Sequence, residues 1–315
     1  MKSSSSLKDV PLSNKVLEGI GLASMHLRGR GRIDISRLDA CVDEYERTLS
    51  RYGRPALRES TVLEIGFGAR PYRLVWLYNS GIQILGVDLD KPLLRASPNS
   101  FLTVMRKNGL ERALKSAIRY CISDAHHWRQ LAAEVGRRGR TFRVPEERLT
   151  TGDAASTAFW TKAGKFDFVF SEDVFEHIPP RDLRALVQQM ASALHPNGLA
   201  LIRPMVFTGI CGGHHLEWYP HTFKQEMKRR TEPWEHLRHD RFPANTYLNR
   251  LCRKDYVDLF SEHFRILEEE VMISGLGAEF MTDQIRMELS EYTDYELFSN
   301  SIRFVLEPKR ARLIN

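Results

Sequence analysis

Residues 61–90 read TVLEIGFGARPYRLVWLYNSGIQILGVDLD, and this stretch decides the fold. A short β-prone run ends in Gly66-Phe67-Gly68, and Pro71 then suits the first turn of a helix. A second apolar run follows the helix and ends at Asp88. The order of strand, glycine loop, helix and strand predicts the start of a parallel sheet.

The rest of the chain continues this alternation with two interruptions. Further strands are predicted at 148–151, 166–170, 199–202, 264–271 and 301–306. A mostly polar, helical stretch at about 92–146 precedes the third strand. Residues 205–262, rich in His, Trp, Tyr and Pro, show no regular alternation and are interpreted as an insertion after the fifth strand.

Three local boundaries follow from the same patterns. Residues 15–60 have apolar side chains at helical spacing, with Asp34 or Ser36 as candidate caps. An amphipathic helix over 181–194 is predicted to stop at the turn 196–198, Pro-Asn-Gly. We therefore predict a helical extension over residues 1–60 and an α/β domain over 61–308. Residues 279–298 are predicted to be helical.

The composition is that of a globular protein. Of 315 residues, 42% are hydrophobic and 27% charged, which argues against disorder. The net charge of +6 permits an anionic partner without requiring one. Four cysteines lie far apart without a CxxC pair, which favours a reducing compartment. With no signal peptide and no apolar stretch of membrane-spanning length, we expect a cytoplasmic protein without a membrane span.

The glycine loop and Asp88 together indicate a nucleoside-containing cofactor. Glycines between a strand and a helix let backbone N–H groups approach a ligand closely. Asp88, at the end of the second strand, can accept hydrogen bonds from ribose hydroxyls. The loop lacks the third glycine of the dehydrogenase pattern. Glu64 precedes it, and a carboxylate there suits a cationic ligand better than a pyrophosphate.

At this point the sequence resembles the class I, Rossmann-like S-adenosylmethionine-dependent methyltransferases. The motifs that carry the resemblance occur in the family's order, at 62–68 (VLEIGFG), 85–90 (LGVDLD), 152–154 (GDA), 166–178 (FDFVFSEDVFEHI) and 194–199 (LHPNGL). The resemblance implies a doubly wound, mostly parallel, seven-stranded sheet with an antiparallel last strand. It also implies S-adenosylmethionine as the cofactor and an enzyme that transfers its methyl group.

The resemblance assigns the cofactor's methionine and ribose parts to the first two strand ends. Glu64, Gly66 and Gly68 would surround the methionine part, and Asp88 would bind the ribose. The sequence departs from the family at Arg70, where many relatives have a small residue. An arginine there would crowd the carboxylate end of the cofactor or pair with it.

The adenine and the sulfonium are assigned to the third and fourth strand ends, again by resemblance. Leu89 would pack on the adenine, and Asp153 would accept a hydrogen bond from its amino group, with Ala154 nearby. Ser171 and Glu172 would line the site near the sulfonium.

The acceptor side is sought in the insertion after the fifth strand. Residues 212–221 (GGHHLEWYPH) contain His214, His215 and His221, and we hypothesise that one of them is a general base or orients the acceptor. The alternative is that these histidines only brace the insertion. Their spacing matches no usual zinc pattern, so no metal site is predicted. Nearby aromatic residues are candidates for substrate stacking or for the core of the insertion: Trp218, Tyr219 and Trp234.

These features favour methylation of a small-molecule acceptor, with a hydroxyl of a sugar or secondary metabolite as the expected target. The enzyme could form a homodimer. Clusters of arginines suggest an RNA methyltransferase as the alternative, but the Asn-Pro-Pro-Tyr and Pro-Cys motifs of such enzymes are absent. Carboxylates after the fourth strand would also repel phosphate, so nucleic acid is disfavoured as a partner. A non-enzymatic cofactor-binding module is the third reading.

Overall fold

The structure is a computed structural model that describes residues 33–223, 229–242 and 247–309. Residues 1–32 of the predicted helical extension, including the first part of its predicted helical region, lie outside the described residues. Of the two candidate caps, Asp34 is the N-cap of the first described helix. Its side chain accepts a hydrogen bond from the N–H of Arg37.

Seven strands form one mixed sheet. Their bounds are β1 Thr61–Ile65, β2 Gln83–Asp88, β3 Leu149–Thr151, β4 Phe166–Glu172, β5 Leu194–Arg203, β6 Phe264–Val271 and β7 Ile302–Pro308. The order across the sheet is β3-β2-β1-β4-β5-β7-β6. Pairs among β1 to β4 are parallel, whereas β7 runs antiparallel to β5 and β6. The predicted mostly parallel sheet with an antiparallel last strand is confirmed.

The described helices follow the strands in the predicted alternation. They are α1 Ile35–Arg51, α2 Tyr72–Asn79, α3 Pro98–Asn108, α4 Leu110–Arg119, α5 Ala125–Arg137, α6 Thr157–Ala163, α7 Pro180–Ala193, α8 Glu235–Arg238, α9 Arg253–His263, α10 Asp283–Glu288 and α11 Asp294–Leu297. Within the described parts of the chain, no helix is both long enough and apolar enough to cross a membrane.

The described chain divides into two compact units. The first, the N-terminal unit, contains residues 33–170 and 192–199. Its core includes Tyr45 of α1, which is fully buried and stacks on Phe170 with ring centroids 4.6 Å apart. Tyr45 also lies 5.4 Å from the ring of Phe168. Helix α1 therefore contributes to the core of the unit that contains β1, β2 and β3.

The second, the C-terminal unit, contains the described residues of 171–191 and 200–309. Its core joins α9 to the antiparallel strands, and the rings of Phe260 and Phe304 pack 5.0 Å apart. A satellite cluster includes the buried Trp218 and Trp234, which are core residues of the predicted insertion.

Three element boundaries differ from those predicted. Strand β5 begins at Leu194, directly after α7, so the predicted turn at 196–198 is wrong. Residues 195–197 are exposed, and Pro196 is tolerated because the start of a strand needs no ladder donor there. Helix α9 begins within the stretch 205–262, which was predicted to be irregular, and ends one residue beyond it. The predicted helical region 279–298 is two short helices that follow Thr282 and Thr293.

Candidate active site

The parallel register brings three of the predicted loops to one edge of the N-terminal unit. Ile65 pairs with Val87, and Asp88 pairs with Thr151, so the chain leaves β1, β2 and β3 at neighbouring points. Backbone hydrogen bonds continue past the strand ends, from Gly66 N–H to Val87 O (2.8 Å) and from Gly152 N–H to Asp88 O (2.8 Å). The carboxyl ends of parallel strands are where open α/β sheets bind ligands.

The carboxylate of Asp88 links the glycine loop to the end of β2. Oδ2 accepts from the N–H of Gly68 (2.7 Å), and Oδ1 accepts from the N–H of Asp90 (2.9 Å). Burial raises the pKa of Asp88 above that of an ordinary aspartate, and these two backbone hydrogen bonds offset part of the increase. Gly68 has φ 69°, and a Cβ there would project into open space. The loop thus leaves room beside its backbone for a ligand.

Residues assigned to the nucleoside are accessible at the same edge. Leu89 is 67% exposed, which is unusual for a large apolar side chain that directly follows a buried strand. Asp153 is exposed, and its Oδ1 accepts a hydrogen bond from Ala155 N–H (2.8 Å). The carbonyl of Ala154 accepts from Trp160 Nε1 (2.7 Å), which holds this loop on α6. An exposed leucine, an exposed carboxylate and the Asp88 carboxylate fit an adenosine group.

Glu64 has a protein partner that the sequence did not reveal. Its side chain is buried on β1, and Oε1 accepts from Nη2 (2.8 Å) and Nε (3.0 Å) of Arg73 on α2. The guanidinium of Arg73 also lies over the ring of Phe170, 4.9 Å from its centroid. The negative charge of Glu64 is therefore compensated within the fold. The assignment of Glu64 to the cationic end of the cofactor stays a prediction.

Arg70 is held by the helical insertion between β2 and β3. Its Nε donates to Oδ1 of the buried Asp124 (2.8 Å), and Arg119 Nε donates to Oδ2 (2.9 Å). The Tyr72 hydroxyl donates to the same carboxylate (3.3 Å). Asp124 ends a π-helical turn between α4 and α5, and such turns occur frequently at functional sites. Sequence analysis missed Asp124 because it lies far along the chain from Arg70.

The remaining predicted cofactor residues, Ser171 and Glu172, end β4. Ser171 is buried, and Glu172 forms an ion pair with Arg203 of β5, with Oε2 3.5 Å from Nη1. Asp173 follows with φ 55°, and its N–H donates to the carbonyl of Arg203 (3.0 Å). The left-handed conformation of Asp173 turns the chain sharply at the end of the strand.

The three candidate histidines of the acceptor side have different surroundings. His215 Nε2 contacts the carbonyl of Arg241 (3.0 Å), and His221 is exposed, with its ring 5.9 Å from that of Tyr219. His214 is more deeply buried. Its Nδ1 lies 3.2 Å from the Tyr219 hydroxyl, whereas its Nε2 is buried without a hydrogen-bond partner. Burial lowers the pKa of His214 to about 4.

The structure brings His214 together with Glu176 and His177. One ligand atom of each side chain lies within 4.8 Å of the others, and the two imidazole centroids are 4.9 Å apart. Glu176 is buried, and neither carboxylate oxygen has a hydrogen-bond partner of ordinary geometry. Burial, followed by repulsion from Asp173, raises the pKa of Glu176 well above its ordinary value, although nearby backbone N–H groups act in the opposite direction. We call these three residues the Glu176 cluster.

The sequence alone did not indicate that these three residues lie together. Glu176 and His177 belong to the motif at 166–178 (FDFVFSEDVFEHI), one of those that carry the family resemblance. His214 comes from the insertion after β5, and only the fold brings the two segments together. Trp218 and Trp234 pack in the core rather than at an open surface, whereas Tyr219 contacts His214.

Comparison with known protein families gives one match. The family described as "Methyltransferase domain" matches residues 37–262, more than half of the chain. No curated protein matches the chain.

The solved structures that match the chain share little sequence identity with it. A Pyrococcus horikoshii protein is 15% identical, covering 86% of this chain and 91% of its own, with a TM-score of 0.43. The 1,6-didemethyltoxoflavin-N1-methyltransferase of Burkholderia thailandensis, solved with S-adenosylhomocysteine, is 13% identical, covering 98% and 94%, with a TM-score of 0.43. A Clostridium acetobutylicum S-adenosylmethionine-dependent methyltransferase is 9% identical, covering 87% and 92%, with a TM-score of 0.41.

The family match over residues 37–262 includes the glycine loop, Asp88 and the strands β1 to β5. All seven strands have the order across the sheet that the resemblance implied. The chain therefore belongs to the methyltransferase-domain family and is a class I, S-adenosylmethionine-dependent methyltransferase.

Proposed function

We propose that this enzyme methylates a hydroxyl group of a small-molecule acceptor, and that the Glu176 cluster binds that hydroxyl. The observation that carries the proposal is the buried Nε2 of His214, which has no hydrogen-bond partner. It belongs to the same cluster as the buried carboxylate of Glu176, whose oxygens have no hydrogen-bond partner of ordinary geometry. Buried polar atoms are nearly always hydrogen-bonded, so an unpaired set in one place indicates a missing ligand. A hydroxyl can both donate and accept a hydrogen bond, and it suits such a set.

The cofactor is assigned to the edge formed by β1, β2 and β3. When bound, S-adenosylmethionine supplies an electrophilic methyl group on its sulfonium. Asp88 accepts hydrogen bonds from the ribose, and Leu89 and Asp153 bind the adenine. Gly66 and Gly68 leave space for the methionine part, while Ser171 and Glu172 follow on β4. The enzyme's main task is to align the acceptor with the methyl group.

A small molecule is preferred to nucleic acid because of the charge at the end of β4. Three carboxyl groups, those of Glu172, Asp173 and Glu176, lie within five residues of each other. Glu172 pairs with Arg203 and Glu176 is buried, so the exposed Asp173 is the charge that would repel a phosphate group. The same proposal includes a cytoplasmic location, which the widely spaced cysteines favour, and a homodimeric state. Size-exclusion chromatography with light scattering measures the mass of the protein in solution and so tests the homodimer.

The test is methyl transfer from radiolabelled S-adenosylmethionine to a panel of hydroxylated small molecules, with RNA as a separate arm. We expect His214→Ala to lower the rate by about 100-fold or more, in the range of a lost positioned catalytic group. S-adenosylhomocysteine binding should be unchanged in this variant. His215→Ala and His221→Ala are matched controls that should keep most of the rate. Full activity of His214→Ala, or labelling of RNA alone, would contradict the proposal.

A further inference from the structure

The Glu176 cluster has the donor set of a transition-metal site. It offers one carboxylate and two imidazoles, with one ligand atom from each residue within 4.8 Å of the others. Two histidines and one carboxylate are the protein ligands of several catalytic sites that hold a divalent metal ion and leave a coordination position open.

Both imidazoles are held by contacts at Nδ1. His177 Nδ1–H donates to the carbonyl of Tyr247 (3.0 Å), and His214 Nδ1 lies 3.2 Å from the Tyr219 hydroxyl. A hydrogen bond at one ring nitrogen fixes the orientation and tautomer of a metal-binding histidine and leaves the other nitrogen as the ligand. In His214 that other nitrogen, Nε2, is the buried atom without a partner.

The carboxylate supplies an independent indication of a ligand. Glu176 is 3% exposed, and both of its oxygens lack a hydrogen-bond partner of ordinary geometry. Burying such a group is costly unless a partner compensates it, and metal coordination is one form of compensation. His214 has φ 56°, a left-handed backbone conformation that is unfavourable for a residue other than glycine. Strained conformations of this kind are often found at functional sites.

A second group of similar composition provides a contrast. Glu232, Glu235 and His239 also lie within ligand distance of one another. Their carboxylates already have cationic partners, since Glu232 pairs with Arg238 (2.8 Å) and Glu235 with Arg241 (2.7 Å). The two groups are alike in composition and in the distances between their ligand atoms. The Glu176 cluster differs because its buried carboxylate has no cationic partner in an ion pair and no hydrogen-bond partner of ordinary geometry among the described residues.

We propose that Glu176, His177 and His214 bind one divalent transition-metal ion, such as Zn²⁺. Its remaining coordination positions would take the oxygen of the acceptor hydroxyl. A bound cation lowers the pKa of a coordinated hydroxyl, whose proton then passes to solvent. The role of the ion rests on the proposed function, whereas the binding of the ion does not require it.

The experiment titrates Zn²⁺ into the full-length protein, after dialysis against a chelator, and follows the heat by calorimetry. We expect a stoichiometry of one for the wild type. His177→Ala should weaken binding by about 100-fold or more, because loss of an outer-shell partner alone typically costs 10–100-fold. His177 is exposed, so this variant should fold. His239→Ala, from the contrasting group, is the matched control and should bind as the wild type does.

Two further readouts make the result independent of activity. Zn²⁺ should raise the Tm of the wild type and of His239→Ala but not that of His177→Ala, because a ligand that binds only the folded state stabilises it. Co²⁺ should give visible absorption bands that disappear in Glu176→Gln. The proposal would be overturned if the folded wild type did not bind the ion, or if His177→Ala and Glu176→Gln bound it as tightly as the wild type does.

Methyl transfer separates this inference from the proposed function. Full activity after chelation, with His214→Ala still inactive, would overturn the metal site and leave hydroxyl methylation standing. Zn²⁺ binding at the cluster without transfer to any hydroxyl would support the metal site and reject the proposed function.

Discussion

Asp88 is the single side chain on which cofactor binding is expected to depend most. Its carboxylate already accepts two backbone hydrogen bonds, so it is fixed at the end of β2 before a ribose arrives. Asp88→Asn removes the charge and replaces one accepting oxygen by a donor. A hydrogen bond to a charged group contributes about 1.5–3 kcal/mol, so we expect affinity for S-adenosylhomocysteine to fall about 10- to 100-fold.

Calorimetry measures this affinity, and Asp90→Asn is the matched control. The substitution Asp90→Asn removes the same charge two residues away. The carboxylate of Asp90 pairs with Arg112 rather than with the glycine loop. We expect Asp90→Asn to bind within a fewfold of the wild type. Equal losses in both variants would show that general charge at this edge, and not the Asp88 carboxylate, determines binding.

The raised pKa of Asp88 predicts how binding depends on pH. The pKa lies above the ordinary 3.8 because burial disfavours the charged form. In the proposed contact with ribose the ionised carboxylate is the accepting form, so wild-type affinity should fall as the pH is lowered through this raised pKa. The contribution of Asp88 to folding has the opposite sign: protonation favours the fold, and this contribution is lost as the pH rises through the same pKa.

The measurement is a series of calorimetric titrations from neutral to mildly acidic pH. The ratio of wild-type to Asp88→Asn affinity should shrink towards one as the pH falls. A constant ratio across the series would mean that Asp88 does not titrate in this range or does not contact the ligand.

At the scale of elements, close packing between β2, α2 and the glycine loop yields a prediction at Gly86. A Cβ at this position would come within 3.0 Å of Leu74 on α2 and of Phe67 in the glycine loop. Gly86→Ala should therefore destabilise the protein by about 1–3 kcal/mol, the usual cost of overpacking. Because Phe67 must move, affinity for S-adenosylhomocysteine should fall as well.

Gly136 in α5 is the control for this substitution. A Cβ there meets nothing within 4 Å, and glycine inside a helix is less stable than alanine by about 0.5–1 kcal/mol. Gly136→Ala should therefore stabilise the protein slightly in urea unfolding and leave cofactor affinity unchanged. Unaltered stability of Gly86→Ala would show that Leu74 and Phe67 can rearrange freely.

Elements with strong local signals were predictable from the sequence. The glycine loop, Pro71 and the alternating strands define β1, α2 and β2 with little error, because each signal acts over a few residues. The same local logic failed at 196–198, where Pro-Asn-Gly indicated a turn. There the chain is already extended from Leu194, and local turn propensity did not decide the conformation.

Side-chain partners were less predictable than elements. Asp88 and the glycine loop are assigned from spacing because they end neighbouring strands. Arg70 and Asp124 are 54 residues apart, and His177 and His214 belong to segments on either side of β5. Their meeting depends on tertiary packing, which spacing in one sequence does not encode. The chemistry of the acceptor side was therefore only partly visible from the sequence.

At the scale of the whole molecule, the stability of the fold is expected to depend on residues before β1. The sequence suggested a helical extension before residue 61, but Tyr45 of α1 is fully buried and stacks on Phe170 of β4. Truncation of a large buried aromatic side chain typically costs about 3–5 kcal/mol. Tyr45→Ala should lower the free energy of unfolding by this amount, which is a large part of the usual stability of a domain.

Deletion of residues 1–60 should consequently give a chain that does not fold cooperatively, as measured by urea unfolding and circular dichroism. Arg47→Ala, on the exposed side of α1, is the matched control and should change stability by less than about 0.5 kcal/mol. If the deleted protein unfolds cooperatively and binds S-adenosylhomocysteine, α1 is an accessory extension. If it does not, the folding unit begins within the N-terminal residues, because the face of β4 that Tyr45 covers would otherwise be exposed to water.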